Sequence, residues 1–337
     1  MPHDGGHHHC DKHGHGGQAQ GGQGQGGHGH GGHGHGHSHG GHDHGPVRHD
    51  AAFGLGVALN GGLVAAQIGF GLAAGSMALL ADAVHNLGDV LGLLLSWGAA
   101  RLVLRAPSAR RTYGWGRSTI MASLANAVLL LVSIGAIGIE AIQRVLHPGP
   151  VEAGTVAWMA AAGLAVNGAT ALLFMRGREG DLNLRSAFVH MAADAGLSAG
   201  VLVAALVIMA TGMTWIDPLM SLAIIGVIGV GTWGLLREST NLALDAVPEG
   251  LCQEDIAAWL ATLEGVREVH DLHVWALSTT ETAVTVHLVH DGAVDGDTLI
   301  CAAIEGLRDR FDIGHTTVQL ETETLALGCA LRPASVV

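Results

Sequence analysis

Six apolar runs, each long enough to cross a bilayer as a helix, occupy the chain between residues 51 and 236. In hydrocarbon the backbone has no water to bond, so such a run must close its hydrogen bonds within itself. The runs fall near 51–74, 77–101, 118–142, 154–176, 186–211 and 215–236. The expected fold is an α-helical membrane protein with six transmembrane helices. Composition agrees, since 49% of the 337 residues are hydrophobic and 13% charged, too apolar for a soluble chain of this size.

Basic residues orient the spans. Arg101, Arg105, Arg110, Arg111 and Arg117 follow the second span, Arg176, Arg178 and Arg185 the fourth, and Arg237 the sixth. The connections after the first and fifth spans have none, and that after the third has only Arg144. The bias predicts that both termini are cytoplasmic in a multi-pass cell-membrane protein, expected in a bacterial inner membrane. No apolar signal segment heads the chain, so the N-terminal tail is expected to stay attached.

The flanks are polar. Residues 1–49 are Gly, His and Gln of low complexity and hold 15 of the 23 histidines. Such a segment buries too little apolar surface to order itself and is expected to be a disordered metal-binding tail, capturing metal weakly through many imidazoles. Residues 50–238 form the expected six-helix domain, 239–325 a cytoplasmic domain and 326–337 a C-terminal tail. In the third segment a helix is expected after Pro248, then two alternating strands joined by a turn at Thr279–Thr280, a second helix and a third strand. That order, αββαβ, makes a small α/β sandwich. From Asp245 onward there are 16 acidic and 4 basic residues, so the net charge of −13 belongs mainly to this domain and excludes a nucleic-acid footprint. Cys10, Cys252, Cys301 and Cys329 form no C-x-x-C pair and read as reduced thiols.

Ionisable residues inside spans are costly and mark function by default. The second span carries Asp82, His85 and Asp89, the fifth His190 and Asp194. His85 and Asp89 are four apart and share a helix face, and His190 and Asp194 repeat both types and spacing. If the helices face each other, two imidazoles and two carboxylates converge on a site that suits tetrahedral Zn²⁺. Protons compete with metal for imidazole, which couples metal export to proton import. The plainer reading, that these groups only glue the bundle, explains one pair better than two matched pairs. Asp82 lies on nearly the same stripe, placed to hold an imidazole or to pack. Asp217 is expected to cap or turn the start of the sixth span.

The segments "GSMALLADAVHNLGDV", "HMAAD" and "VHDLHVWALS…VTVHLV…HTTVQLE" resemble the cation diffusion facilitators, in the zinc-efflux branch, over residues 50 to 325. The resemblance implies a homodimeric metal/proton antiporter with a metallochaperone-like cytoplasmic domain. It maps the transport site onto His85, Asp89, His190 and Asp194. It maps a metal site of the cytoplasmic domain onto His270, His287, His315 and Glu321. Cys329 either joins such a site or stands by, and the sequence does not show whether the "HHHC" segment ending at Cys10 reaches it. Strand alternation sets His270 on the opposite face from Asp271 and His273. Where many relatives carry a histidine after the tryptophan of the second loop, this chain has Gly116, so no metal site is assigned there.

The expected function is a proton-coupled efflux transporter that exports Zn²⁺ from the cytoplasm, with Co²⁺ or Cd²⁺ as further ions and with protons and the lipid bilayer as its other partners. The alternative is a membrane-anchored metal storage or sensing protein. An enzyme is not expected: no H-E-x-x-H is present, and four protein ligands leave a metal no open position.

Overall fold

A computed structural model describes residues 50–175 and 182–332. The histidine-rich segment 1–49 and its expected disorder lie outside the described residues. Six long helices come first: α1 (Asp50–Ala74), α2 (Met77–Val103), α3 (Ser118–Leu146), α4 (Ala153–Met175), α5 (Leu182–Thr211) and α6 (Ile216–Ala243). Among the described residues five stretches are long and apolar enough to cross a membrane: Met77–Val103, Ser118–Leu146, Ala153–Leu172, Phe188–Thr211 and Ile216–Ala243. The side chains of 50–59, in the first half of α1, lie outside the described residues.

α2 is the centre of the bundle and touches all five other helices. Small residues let it sit there. A Cβ on Gly88 would come within 2.8 Å of Leu130 Cδ1 on α3, so a larger residue here requires the Leu130 side chain to shift. An apolar cluster that includes Leu79, Ile134, Val156, Val201 and Ile224 closes the end of the bundle where α2 begins.

The start of α2 corrects an expectation. Asp217, in the first turn of α6, does not cap its own helix. Its carboxylate accepts hydrogen bonds from Ser76 Oγ, from Met77 N at 2.6 Å and from Ala78 N at 3.4 Å. Ser76 Oγ in turn accepts from Leu79 N at 3.1 Å. The free N–H groups of α2 are thus met by its own N-cap and by an acid from another helix. This contact also places the beginnings of α2 and α6 at the same end of the bundle.

At the other end α6 runs on to Ala243, past residue 239 where the next domain was expected to start. Glu238, Ser239, Thr240 and Asn241 are polar but helix-compatible, so the helix outlasts its apolar run. The C-terminal domain follows as α7 (Gln253–Leu260), β1 (Val266–Ala276), β2 (Thr282–His290), α8 (Gly296–Phe311), β3 (His315–Thr322) and a short α9 (Glu323–Leu327). The sheet order is β1-β2-β3, with β1 and β2 antiparallel and β3 parallel to β2 across the α8 crossover. α7 starts at Gln253, four residues later than Pro248 suggested, and α9 adds an element to the expected order. Ile256, Leu260, Leu288 and Leu307 join helices to sheet in one apolar core.

The connection between α2 and α3 docks on this domain. Thr279 N donates to Thr119 Oγ1 at 3.0 Å, and Arg117 pairs with Asp245. A Cβ on Gly116 would stand 2.7 Å from the Leu277 carbonyl oxygen. Glycine in place of a histidine here therefore serves a close backbone approach.

Replacing Asp217 with Ala should leave three donors at the α2 start short of an acceptor and cost about 1–3 kcal/mol. The expected result is a lower thermal midpoint of the purified chain in detergent than Leu219→Ala gives. Equal midpoints for the two variants would refute the capping role.

Candidate metal sites

The two spacing pairs meet. His85 Nε2 lies 3.0 Å from Asp194 Oδ1 and 4.0 Å from Asp89 Oδ2. His190 Nε2 lies 3.4 Å from Asp89 Oδ2 and 3.5 Å from Asp194 Oδ2. Each imidazole reaches both carboxylates, so nitrogen and oxygen alternate around a ring contributed by α2 and α5. A tetrahedral ion with Zn–N and Zn–O bonds of 2.0–2.2 Å needs ligand-to-ligand edges of about 3.3–3.6 Å. Four of the six edges of such a site straddle that value, and His85, Asp89 and Asp194 offer ligand atoms all within 4.8 Å of one another; His190 stands outside that group, its ring centroid 6.3 Å from that of His85, and has to move inward to complete it.

Burial across the ring is uneven. Side-chain exposure is 35% at Asp89 and 28% at His190, but 16% at His85 and 3% at Asp194. Along their helices Asp89 and His190 stand one turn nearer the C-terminal domain, and beyond His85 and Asp194 lies the apolar cluster that holds Leu79 and Val201.

Asp82 departs from expectation, since it holds no imidazole. Its Oδ2 accepts from Gln67 Nε2 on α1 at 2.8 Å, and Gln67 Oε1 accepts from Asn86 Nδ2 at 3.1 Å. His85 Nδ1 has no hydrogen-bond partner. Gln67 was not singled out in the sequence. Its signal was a lone amide in an otherwise apolar stretch of the first span.

In the C-terminal domain, His270, His287, Glu321 and Cys329 offer ligand atoms all within 4.8 Å of one another. His270 Nε2 is 3.1 Å from Glu321 Oε2, His287 Nδ1 is 3.0 Å from Glu321 Oε1, and Cys329 Sγ is 3.9 Å from His287 Nδ1. Register explains the histidines, because His270 and His287 are direct partners across β1 and β2. The alternation expected in β1 is interrupted. The register shifts between His270 and His273 and Asp271 takes φ 48°, which brings Asp271 Oδ2 to 3.4 Å from His287 Nε2.

His315 is not part of this cluster. It opens β3 opposite Ala283, six residues before Glu321, and six residues of strand span about 20 Å. Its ring packs edge-on against Tyr113, with centroids 5.4 Å apart. Cys329 takes the fourth place instead. It is carried there by α9 and by Arg332, which grips Glu268 on β1 through Nε at 3.0 Å and Nη2 at 2.6 Å.

The chemistry of the second cluster suits a borderline-soft ion. Two imidazoles, a carboxylate and a thiol match the ligand types of tetrahedral zinc. Burial pushes the Glu321 carboxyl up, but hydrogen bonds from His270 and Gln319 and the nearby His270 and His287 more than offset it, leaving it below its ordinary value. A carboxyl lowered in the fold stabilises the fold above its ordinary range and loses that contribution as pH falls through the lowered value.

Comparison with known proteins places this architecture. The model of the cation efflux transmembrane domain matches residues 55–242, and that of the cation efflux protein cytoplasmic domain matches 248–323. The metal cation efflux system protein CzcD of Cupriavidus metallidurans is 32% identical over 277 residues, which are 82% of this chain and 88% of that protein. The zinc transporter ZitB of Escherichia coli is 35% identical over 272 residues, 80% of this chain and 85% of its own. The cadmium, cobalt and zinc/H(+)-K(+) antiporter of Bacillus subtilis is 30% identical over 272 residues, 79% of this chain and 87% of its own.

Co²⁺ titration of the full chain, followed by absorbance, tests the ligand set. Thiolate-to-cobalt charge transfer should appear in wild type and His315→Ala and vanish in Cys329→Ser, while Glu321→Gln should weaken binding by roughly tenfold or more. Loss of the band in His315→Ala with retention in Cys329→Ser would reverse the assignment.

Proposed function

We propose that this chain, which belongs to the cation efflux family of membrane transporters, exports Zn²⁺ from the cytoplasm in exchange for protons. It is a membrane transporter and not an enzyme, and metal cation efflux is the function of its family. Zinc as the main ion, protons as the coupling ion and the assignment of residues are the further steps. The observation that carries them is the ring of His85, Asp89, His190 and Asp194, with an apolar cluster beyond it at the end where α2 begins.

Charge balance gives the exchange its logic. Two carboxylates in a span need two positive charges beside them. One Zn²⁺ supplies both. Without the ion, protons on the two imidazoles supply them, and the distances of 3.0 and 3.4 Å from His85 and His190 to Asp194 and Asp89 suit such pairs. Metal and protons thus substitute for one another without changing the net charge at the ring. A rocking motion that exposes the ring to one side and then the other turns this competition into antiport. Two nitrogens and two oxygens favour Zn²⁺ over Mn²⁺, and admit Co²⁺ and Cd²⁺.

The rest of the chain fits around this step. Six spans with both termini cytoplasmic, in a bacterial inner membrane, set the acidic domain where cytoplasmic metal is sensed. Two copies associate as a homodimer through that domain and the bundle. Zinc held by His270, His287, Glu321 and Cys329 crosslinks three strands and the C-terminal segment, stiffening the domain on which the α2–α3 connection rests. Residues 1–49 collect metal through their 15 histidines.

Everted vesicles carrying the chain should take up Zn²⁺ when a proton gradient is imposed, and Asp89→Ala should lower the rate by about 100-fold or more. His85→Asp should widen the range of ions carried, because it trades nitrogen for oxygen. Uptake indifferent to the proton gradient would remove the coupling, and normal transport by Asp89→Ala would remove the site.

A further inference from the structure

The ladder of paired side chains along α2 and α5 does not stop at the four-residue ring. Because α2 and α5 run antiparallel, stepping back along α2 and forward along α5 moves in one direction, away from the C-terminal domain. One turn beyond His85 is Asp82, and one turn beyond Asp194 is Ser198. One turn further stand Leu79 and Val201, both fully buried in the apolar cluster that shuts this end.

Asp82 and Ser198 are 1% and 0% exposed, and the Ser198 hydroxyl stands beside the Asp82 carboxylate, close enough to donate to it. Among the described residues neither Asp82 Oδ1 nor Ser198 Oγ makes a hydrogen bond of good geometry, so both oxygens keep lone pairs open to a cation. No basic side chain pairs with Asp82 among the described residues. Gln67 fixes the other oxygen. Its carbonyl is occupied by Asn86 Nδ2, so its amide N–H is turned to Asp82 Oδ2, and the free Oδ1 is held in one orientation. Gln67 and Ser198 both border Gly163 on α4: a Cβ there would stand 3.4 Å from Gln67 Nε2 and 3.1 Å from Ser198 Oγ.

We propose that Asp82 Oδ1 and Ser198 Oγ form an oxygen-lined stop for the divalent cation, one helical turn outward of the imidazole ring, with Gln67 as the positioning residue. The proposal rests on the transport function above and extends its path. Imidazole nitrogens select the ion and hold it firmly. Oxygens alone bind Zn²⁺ less selectively and release it more readily, which suits a stop on the way out. When the outer apolar layer parts, the ion moves one turn onto a carboxylate that has no other cation.

The test uses the full chain in proteoliposomes, with Zn²⁺ transport kinetics and equilibrium Zn²⁺ binding measured side by side for Asp82→Asn and Ser198→Ala. The stop predicts that kcat falls about tenfold or more in Asp82→Asn and severalfold in Ser198→Ala, with KM and equilibrium affinity within about threefold of wild type. Asp82→Glu should recover part of the lost rate. Wild-type rates in both variants would overturn the proposal. So would a loss of equilibrium affinity in step with rate, which would make Asp82 a prop for His85. Ser198→Ala removes one oxygen and keeps the test decisive if Asp82→Asn fails to fold. A wild-type chain that moves no Zn²⁺ would sink the transport reading itself, a separate outcome.

Discussion

Asp194 is almost wholly enclosed in the bundle, and His85 Nε2 at 3.0 Å is the group that makes its charge tolerable there. This cross-helix pair and its counterpart, His190 with Asp89, tie α5 to α2 at the depth where a bare carboxylate costs most. The remaining arrangement follows from holding these two helices face to face. α2 must be central, so it carries Gly88 against α3, a second acid against α1 and a cap donated by α6. The bundle is assembled around a charge that must be neutralised, and the neutralising groups are the two imidazoles of the ring.

The same economy shapes the C-terminal domain. Glu321 is buried beneath two imidazoles that keep it ionised, and a thiol arrives from outside the sheet. A positive φ at Asp271, an unusual conformation for a residue with a side chain, aligns with a register shift that lets a second carboxylate approach His287. The C-terminal segment is held by Arg332 on Glu268, and that ion pair keeps the Glu268 carboxyl below its ordinary value. Domain and bundle meet at the α2–α3 connection, where Gly116 gives up a side chain so that two backbones can touch. A change of stiffness in the domain therefore has a direct contact through which to reach α2.

Much of this was legible in the chain. An α-helix repeats every 3.6 residues, so residues four apart share a face wherever the helix lies. His85 with Asp89, and His190 with Asp194, could be paired by counting alone. Strand residues offer no such certainty. Which of His270, His287, His315 and Glu321 meet depends on register, on the bulge at Asp271 and on how far along β3 each one sits. The resemblance-based set accordingly included His315, which lies at the far end of its strand, where Cys329 now stands in its place.

The sequence by itself determined the membrane-spanning helices, the two charged pairs and the acidic domain, because hydropathy and helical period are local properties that hold whatever the helices pack against. Only the tertiary structure decided that Asp217 caps α2 and not its own helix, that Gln67 and not His85 is the partner of Asp82, and that each imidazole of the ring reaches both carboxylates. Those are long-range pairings. Asp217 and Met77 are 140 residues apart, and no local pattern encodes which polar atom a buried carboxylate will find once six helices have closed around it.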